Sequence, residues 1–258
     1  MIDDTISVKD TTGKVLVEIE NFVKIYEGSS VKAVDGLNLK VNEGDIFGFI
    51  GRNGAGKSTT IKCLTGQLPF KDGKITVCGH DINTDPIAAK KCIGFVSDDH
   101  AVYEKMTGRQ YVNFIADVFG VGDEREERID SLKKQFSIES AFDKYIGSYS
   151  HGMKQKICLI ASLVHEPDVW VLDEPLTGLD VVMMHQVKQA MTAHAAKGHA
   201  VFFSSHNLDV VERICNKAVI INHGKQLGVI DIAAFKNSGH GSLEEYFFEL
   251  TGEGDETI

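Results

Sequence analysis

Residues 51–58 read GRNGAGKS and fit the pattern G-x-x-x-x-G-K-[ST]. Glycines at this spacing let successive backbone N–H groups turn inward and hold phosphate oxygens. Lys57 would bring a positive charge to the terminal phosphates, and the hydroxyl of Ser58 is an oxygen ligand for Mg²⁺. An apolar run at 46–50 precedes the loop and a helical pattern follows it. The sequence therefore predicts a phosphate-binding loop rather than a glycine turn that binds nothing.

A second candidate site is a pair of acids at the end of an apolar run, in the stretch VWVLDE at 169–174. Asp173 could hold Mg²⁺ through water at a strand end, and Glu174 could polarise a water molecule for attack on a phosphate. Taken alone, the pair could also be the solvated end of a strand. Beside a phosphate loop, the two acids favour metal-assisted hydrolysis.

Three further motifs accompany these two sites: YSHGM at 149–153 before a helix, LTGLD at 176–180, and SSH at 204–206. Together with the phosphate loop and the acid pair, and in this order along the chain, they resemble the ATP-binding cassette (ABC) family. The resemblance covers nearly the whole chain, from about residue 15 to residue 250. It implies an ATPase that binds ATP and Mg²⁺.

The resemblance also implies roles for individual residues. Tyr26 would stack on adenine, although an aromatic residue at a strand end is as often part of the core. The phosphate contacts would come from Gly51, Asn53, Gly54, Ala55, Gly56, Lys57, Ser58 and Thr59. The implied catalytic residues are Glu174, His206 and Asp98, and the implied Mg²⁺ ligands are Ser58, Asp98 and Asp173.

Residues 149–153 correspond to the family signature, which binds the γ-phosphate of ATP held by a partner chain. Ser150 and Gly152 match the positions that contact this phosphate. His151 and Met153 depart from the commoner form L-S-G-G-Q. The form Y-S-x-G-M-K-Q, with the tail SLEEYFFELTG, resembles the exporter (ABC-2 type) branch, which has a separate permease subunit.

The resemblance further implies an assembly of two chains, because the signature lies about a hundred residues after the phosphate loop and faces a different ATP. Two chains, expected to be identical copies, would pair head to tail around two ATP molecules. Asp180 would belong to the loop that crosses this interface. A separate transmembrane permease would dock near Ala101–Tyr103 and Arg109–Phe119, so that the chain is cytoplasmic and peripheral on the inner face of the cell membrane.

The stretch IGFVSDDHAVYE at 93–104 carries two adjacent carboxylates, Asp98 and Asp99, where the family pattern places a glutamine at position 98. A carboxylate is a harder oxygen ligand for Mg²⁺ than an amide, but it repels a phosphate unless a cation lies between them. We therefore expect Asp98 to act as an Mg²⁺-dependent sensor whose loop closes on ATP only with the metal. The alternative is a solvated loop acid that the site does not need.

These residues require an α/β scaffold, and the resemblance implies a P-loop NTPase core with an antiparallel β subdomain and an inserted α-helical subdomain. Short apolar runs such as 46–50 and 169–172 are typical of strands covered on both faces. Helical apolar spacing at 109–119, 124–136 and 153–164 predicts the helical insertion. A further helix at 181–196 would begin after Asp180 as its N-cap.

The predicted organisation is a single ABC ATPase domain over residues 15–250. Its core would take about 15–97 and 166–235, its helical subdomain would take about 98–165, and a C-terminal helix with an acidic tail would occupy 236–258.

Composition restricts the partners of the chain. A net charge of −10 over 258 residues disfavours binding to a nucleic-acid backbone. The five cysteines show no C-x-x-C spacing, which indicates neither a disulfide framework nor a zinc knuckle. No apolar run approaches the ~18 residues of a membrane span, and the first residues lack the apolar segment of a signal peptide. A reduced cytoplasmic compartment is expected.

Two other functions fit part of the pattern. An ABC ATPase that acts on nucleic acid or ribosomes would usually carry two cassettes, long heptad arms or zinc-binding cysteine pairs, and the sequence has none of these. A small-molecule kinase with a phosphate loop would leave the signature at 149–153 and His206 unexplained. We therefore expect a transporter subunit with no nucleic-acid partner.

Overall fold

The structure is a computed structural model that describes residues 13–100 and 102–252. The described strands form two sheets, one antiparallel and one mainly parallel. In chain order they are β1 (Val15–Ile25), β2 (Lys32–Asn42), β3 (Ile46–Ile50), β4 (Asp72–Val77), β5 (His80–Asp81), β6 (Ile93–Val96), β7 (Val169–Leu172), β8 (Ala200–Ser205), β9 (Lys217–Asn222) and β10 (Lys225–Asp231).

The described helices lie mostly between strands of the parallel sheet. In chain order they are α1 (Lys57–Leu64), α2 (Pro86–Lys91), α3 (Gly108–Phe119), α4 (Arg125–Gln135), α5 (His151–Leu163), α6 (Val181–Ala196), α7 (Leu208–Ile214), α8 (Ile232–Asn237) and α9 (Leu243–Thr251). A single turn of 3₁₀-helix at Ile146–Ser148 precedes α5.

The two sheets have different topologies. The four-stranded sheet has the order β2-β1-β4-β5 and all its pairs are antiparallel. The six-stranded sheet has the order β10-β9-β3-β8-β7-β6, with only the β9–β10 hairpin antiparallel. The helices α3, α4 and α5 are inserted between β6 and β7. This is the predicted α/β class, with an antiparallel sheet beside a parallel core.

The central strands of the parallel sheet are buried because helices or the other sheet cover both faces. Every residue of β3, β7 and β8 is buried, in agreement with the apolar runs seen in the sequence. One apolar cluster lies on the face covered by α3, α5 and α6, and a second lies between the two sheets. Trp170 of β7 is fully buried and donates its indole N–H to the hydroxyl of Ser162 at 2.9 Å.

Most predicted boundaries hold within a few residues, and the departures have local causes. Alternating apolar and polar residues predict a strand at residues 15–19, whereas β1 continues to Ile25, because bulges between Ile19 and Val23 let the strand bend and keep pairing with β2. α5 begins at His151, two residues earlier than predicted, because the Ser150 hydroxyl accepts the N–H of Met153 as an N-cap. Asp180 caps α6 as predicted, accepting the N–H of Met183 at 2.8 Å.

Four short elements were not predicted: β5, α2, α7 and α8. Each has two to seven residues, too few to display a clear period. The proposed subdomain boundaries stay a prediction, and residues 253–258 of the predicted acidic tail lie outside the described residues, as do residues 1–12. Within the described part of the chain, no helix combines the length and apolar character needed to cross a membrane.

Candidate active site

The candidate site lies where four neighbouring parallel strands end. β3 leads into the phosphate loop, β6 leads to Asp98, β7 leads to Asp173 and Glu174, and β8 leads to His206. These strands are β3, β8, β7 and β6 in spatial order, and they run parallel. Because the carboxyl ends of parallel strands meet at one edge, residues far apart in sequence come together there.

The phosphate loop is held against the β9–β10 turn. The N–H of Gly224 donates to the carbonyl of Ala55 at 3.0 Å, and the N–H of Asp35 donates to the carbonyl of Gly224 at 2.7 Å. A Cβ at Gly51 would lie 2.5 Å from the carbonyl oxygen of Ile221. A Cβ at Gly56, whose φ is +107°, would lie 2.6 Å from that of Ala33. Glycine is therefore required at both positions for close packing of the loop.

Lys57 lies in the first turn of α1 and is 6% exposed. Its ammonium group donates to the carbonyl of Gly51 at 2.6 Å and to that of Arg52 at 3.2 Å. It also lies 3.3 Å from Oε1 of Glu174. The loop carbonyls and the Glu174 carboxylate direct the ammonium group of Lys57 towards the centre of the candidate site.

Asp173 is 2% exposed and lies between two hydroxyl groups. Ser204 donates its hydroxyl to Oδ1 of Asp173 at 2.6 Å. The Ser58 hydroxyl also acts on this carboxylate, and it favours the charged form. Burial raises the pKa of Asp173 above its usual range, and the neighbouring Asp98 and Glu174 act in the same direction, while the two hydroxyls oppose them. A cation beside Asp173 would compensate the buried negative charge.

Glu174 is the point where the charged residues meet. Its Oε1 faces Lys57, and its Oε2 is 2.9 Å from Nδ1 of His206. The hydroxyl of Thr177 donates to the same Oε2 at 3.4 Å. The backbone φ of +49° is rare for a residue with a side chain, and the Glu174 N–H donates to Ser204 at 2.8 Å. The strained backbone thus directs the carboxylate to Lys57 and His206.

The phosphate loop borders a cleft with a volume of about 350 Å³, and Asp98 faces this cleft. Its walls include Lys57, Ser58 and Glu174 as well as the turn Asn53–Gly54. Asp99 turns to the loop instead, where its carboxylate accepts the hydroxyl of Ser97. The structure therefore separates the two adjacent acids and brings only Asp98 to the candidate site.

Tyr26 lies at the rim of this cleft and is 43% exposed, so it is not a core residue. Its hydroxyl is 3.0 Å from the hydroxyl of Thr59. The ammonium group of Lys24 lies 5.4 Å from the ring centroid. An exposed ring fixed at one edge offers a face for a planar group, and its contact with adenine stays a prediction.

The residues of the signature lie elsewhere. Ser150, His151 and Gly152 form the start of α5, and none of them lines the cleft at the phosphate loop. Ser150 and His151 are exposed, and a Cβ added at Gly152 would meet no heavy atom within 4 Å beyond its neighbours in the helix. Asp180 is also exposed and outside the cleft. Within the described residues of one chain, these groups do not meet the phosphate loop.

Two residues near the site could not be singled out from the sequence. Ser204 bonds both acids that follow β7, but a serine at a strand end has no distinguishing pattern. His100 is 8% exposed, its two ring nitrogens have no hydrogen-bond partner, and its ring centroid lies 5.3 Å from that of His151. Burial lowers the pKa of His100, and His151 adds to this effect. The contact between His100 and His151 connects the loop after Asp98 with the signature.

The donor set fits Mg²⁺ rather than a softer metal. The hydroxyl of Ser58 and the carboxylates of Asp173 and Asp98 are oxygen ligands, and the charge of Asp173 is buried without a full counter-charge. Lys57 supplies a positive charge beside Glu174, the acid that follows Asp173. A cradle of backbone N–H groups, a cation and adjoining carboxylates can bind a nucleotide with its metal and activate a water molecule.

Comparisons with known proteins agree with this arrangement. Residues 34–177 match the family described as ABC transporter. The bacitracin transport ATP-binding protein of Bacillus licheniformis is 30% identical over 94% of this chain and 78% of its own length. The daunorubicin/doxorubicin resistance ATP-binding protein of Streptomyces peucetius is 33% identical over 86% of this chain and 67% of its own length. A solved ATP-binding subunit of an ABC transporter is 29% identical, with a TM-score of 0.86 over 92% of this chain and 99% of that one.

Proposed function

The chain belongs to the ABC transporter family, and from this premise we propose that it hydrolyses ATP between two copies of itself to drive the separate permease of an exporter. The observation that carries the proposal is the meeting of Lys57, Glu174 and His206 beside Asp173 at the phosphate loop. The names of the two curated relatives, one for bacitracin transport and one for drug resistance, support export. They give no support to a nucleic-acid substrate.

In this proposal Glu174 is the general base. Its carboxylate takes a proton from the water that attacks the γ-phosphate of ATP, while Lys57 binds the phosphate oxygens. The bond between the γ-phosphorus and its bridging oxygen breaks, and ADP leaves. His206 holds Oε2 of Glu174 at 2.9 Å and so orients the carboxylate before the water arrives. The backbone N–H groups of residues 53–56 receive the phosphates, and Tyr26 receives the adenine ring.

Mg²⁺ would be held by Ser58, Asp173 and Asp98. Bound there, the metal would neutralise charge on the terminal phosphates of ATP. The support is the place of Ser58 and Asp98 on the walls of the same cleft, and the influence of both residues on the pKa of Asp173. The side chain of Asp98 is shorter than the glutamine of the family pattern, so it would reach the metal through water or after its loop has moved inwards.

A second copy of the chain completes the site. Ser150, His151 and Gly152 do not line the cleft of their own chain, which supports their use for the ATP of a partner. Ser150 caps α5, and the free N–H groups at the start of this 13-residue helix favour an anion. Asp180, exposed at the start of α6, would lie at the same interface.

The permease would dock on the exposed apolar surface of α3 and the loop before it. Tyr103, Phe114 and Val118 are 61%, 42% and 62% exposed, and the ring centroid of Tyr103 lies 6.2 Å from that of Phe114. Ala101, which the sequence also assigns to this surface, lies outside the described residues. Attachment there would hold the chain on the inner face of the cell membrane.

Glu174→Gln tests the proposed base. The variant should keep ATP binding, because the phosphate loop and Lys57 are unchanged, while hydrolysis falls by roughly 10²–10⁴-fold. The measurements are phosphate release under saturating ATP and nucleotide affinity by calorimetry. Slow hydrolysis should also trap the ATP-bound dimer, visible as a doubled mass in light scattering.

The matched control is Glu139→Gln, which removes one carboxylate at an exposed position outside the cleft. It should turn over ATP like the wild type. If Glu174→Gln also turns over ATP at nearly the wild-type rate, Glu174 is not the base.

A further inference from the structure

Three side chains with metal-binding groups meet away from the nucleotide site. The thiols of Cys78 and Cys92 and the carboxylate of Asp168 each offer one ligand atom, and these atoms all lie within 4.8 Å of one another. All three residues are half-buried. They come from separate segments, namely the β4–β5 turn, the residue after α2 and the residue before β7. Their spacing in the sequence, 14 and 76 residues, gives no indication of this cluster.

The cluster lies at the opposite edge of the parallel sheet from the phosphate loop. Cys92 directly precedes β6 and Asp168 directly precedes β7, and the N–H of Val169 donates to the carbonyl of Cys92 at 2.9 Å. Asp98 and Asp173 follow the other ends of the same two strands. A strand of four residues with its flanks spans on the order of 15 Å. The cluster is therefore a separate feature from the nucleotide site.

We propose that Cys78, Cys92 and Asp168 form a binding site for a thiophilic divalent cation, and that this cation is Zn²⁺. Two thiolates and one carboxylate are three of the four ligands of a tetrahedral zinc ion, and water supplies the fourth. With Zn–S distances of about 2.3 Å, two sulfur ligands lie roughly 3.8 Å apart, so the two thiols need to approach each other by no more than about 1 Å. Mg²⁺ is disfavoured because it prefers oxygen ligands.

The backbone at Cys78 supports a role for its side chain. Cys78 and Gly79 form the two-residue turn between β4 and β5, with φ of +52° and +83°. Asn, Asp and Gly are favoured in such a turn, and a cysteine there carries backbone strain. The N–H of Cys78 donates to the carbonyl of Leu16 at 2.7 Å, which holds the turn in place. A ligand role offsets the strain, since only the Cys78 side chain brings a second thiol to Cys92.

A redox role suits the same pair less well. Disulfide exchange proceeds through a thiolate. Burial raises the pKa of the Cys78 and Cys92 thiols, and the Asp168 carboxylate acts in the same direction on both. The neighbouring carboxylate thus suppresses the thiolate that oxidation needs. A bound cation reverses this effect by its own charge, and the carboxylate then becomes a ligand.

Metal binding at this place would join the two sheets. Cys78 belongs to the antiparallel sheet, whereas Cys92 and Asp168 lead into strands of the parallel sheet. A ligand that binds the folded chain and not the unfolded one raises the stability of the fold. We therefore expect a thermal midpoint that rises with added Zn²⁺ and does so only when both thiols are present.

The test is a titration of the full-length, reduced and chelator-treated chain with Co²⁺ in the absence of nucleotide. Thiolate ligands give Co²⁺ a charge-transfer absorption in the near ultraviolet, which carboxylate, hydroxyl or histidine ligands do not. The wild type should show this absorption, saturating at one Co²⁺ per chain, and Zn²⁺ should remove it. Cys78→Ser and Cys92→Ser should abolish it, and Asp168→Asn should weaken Co²⁺ binding by roughly tenfold or more.

The matched control is Cys158→Ser, since the thiol of Cys158 lies in α5 outside the cluster. It should bind Co²⁺ like the wild type, and circular dichroism checks that each variant is folded. The proposal is overturned if the reduced wild type shows no charge-transfer absorption. It is equally overturned if the absorption survives in both Cys78→Ser and Cys92→Ser, because the thiolate ligands would then lie elsewhere.

Discussion

Asp98 shares a cleft with Lys57, Ser58 and Glu174, and it adds to the negative charge that raises the pKa of Asp173. Two carboxylates on one small cleft repel each other and any phosphate unless a cation lies between them. These charges lead us to expect a nucleotide site that depends strongly on Mg²⁺, and this expectation rests on the proposed function.

Asp98→Asn and Asp98→Gln should raise the Mg²⁺ concentration for half-maximal ATPase activity by roughly tenfold, the equivalent of about 1.4 kcal/mol, or lower turnover at saturating Mg²⁺. The reason is the loss of a charged oxygen ligand. The measurement is ATP hydrolysis across an Mg²⁺ titration. Asp99→Asn is the control, because Asp99 bonds Ser97 and does not line the cleft. Two Asp98 variants that follow the wild-type curve would show that Asp98 is only a loop acid.

His165 gives the fold a dependence on pH. Its ring stacks on Phe119 with centroids 3.7 Å apart, Nε2–H donates to the carbonyl of Ile93 at 3.2 Å, and Nδ1 is buried without a partner. Burial lowers the pKa of His165 to about 4, and the charge of Arg128 adds to the effect. Between about pH 4 and pH 6.5 the unfolded chain therefore binds a proton that the folded chain does not. Stability falls as the pH decreases through this window.

His165→Gln should reduce the loss of unfolding free energy between pH 7 and pH 5 by on the order of 1–2 kcal/mol, even though it also loses the stacking on Phe119 at both values. The measurement is urea unfolding at each pH. His194, whose pKa burial lowers to about 3, contributes to the same loss but is present in both proteins. His185→Gln, at an exposed position, should leave the pH dependence unchanged. An unaltered pH dependence in His165→Gln would show that His165 does not carry this effect.

At the scale of single elements, α3 combines a buried face with an exposed apolar face. Val112 and Ala116 are fully buried in the apolar cluster that α3 shares with α5, whereas Phe114 and Val118 are exposed. Tyr103, in the loop before α3, lies beside Tyr111 and Phe114 with ring centroids 6.1 and 6.2 Å away. Grouped aromatic residues of this kind are common where a partner protein binds.

Phe114→Ser combined with Tyr103→Ser should lower, by roughly tenfold or more, the amount of polytopic membrane protein recovered with a tagged chain from detergent-treated membranes of its native cells. ATP hydrolysis by the isolated chain should be unchanged, since neither residue lines the cleft. The control is Ile87→Ser, which removes an apolar side chain 73% exposed on α2. Equal recovery of the permease with the double variant would place the docking surface elsewhere.

The elements show how far the sequence predicts the structure. Long or strongly apolar segments were predicted well, and β3, β7 and α6 have the expected bounds. The two strands are continuous apolar runs, and the helix begins after its N-cap Asp180, so neighbouring residues in the sequence determine these bounds. The end of β1 was not predicted, because bulges and pairing with β2 decide it. Motif residues that follow neighbouring strands lie together in the structure, since the carboxyl edge of a parallel sheet gathers them, while their roles stay predictions.

Contacts between distant segments were beyond prediction from the sequence. Cys78, Cys92 and Asp168 meet through the relative position of the two sheets, and no local pattern encodes it. His100 and His151 meet for a similar reason, across the loop after β6 and the start of α5. The role of Ser204 follows from the register of β7 and β8, in which Leu172 pairs with Phe203.

At the scale of the whole molecule, the separation of the signature from the cleft predicts complementation between chains. Lys57→Ala should lose nucleotide binding at its own loop, because the phosphates lose a charge-assisted contact. Ser150→Arg should keep this binding but block the closed dimer. A mixture of the two variants contains dimers with one intact composite site, so ATPase activity absent from either variant alone should return.

The mixture is compared with each variant alone at equal total protein, and light scattering checks that mixed dimers form. The control mixes wild type with wild type, which should show no gain of activity. Mixed dimers without activity would contradict the independent use of each composite site.

The shortness of β7 restricts how the chain can evolve. The strand has four buried residues, and Asp173 and Glu174 follow it at once. Asp173 accepts the hydroxyl of Ser204, and Glu174 faces Lys57. Since successive side chains along a strand point to opposite sides, inserting or deleting one residue would turn Asp173 away from Ser204 and move the left-handed turn at Glu174 by one position. Apolar residues of β7 can therefore be replaced by others of similar size, whereas its length cannot change. The length of β7 fixes the positions of the two acids. Natural variants of this segment should therefore differ by substitution and never by a single-residue insertion or deletion.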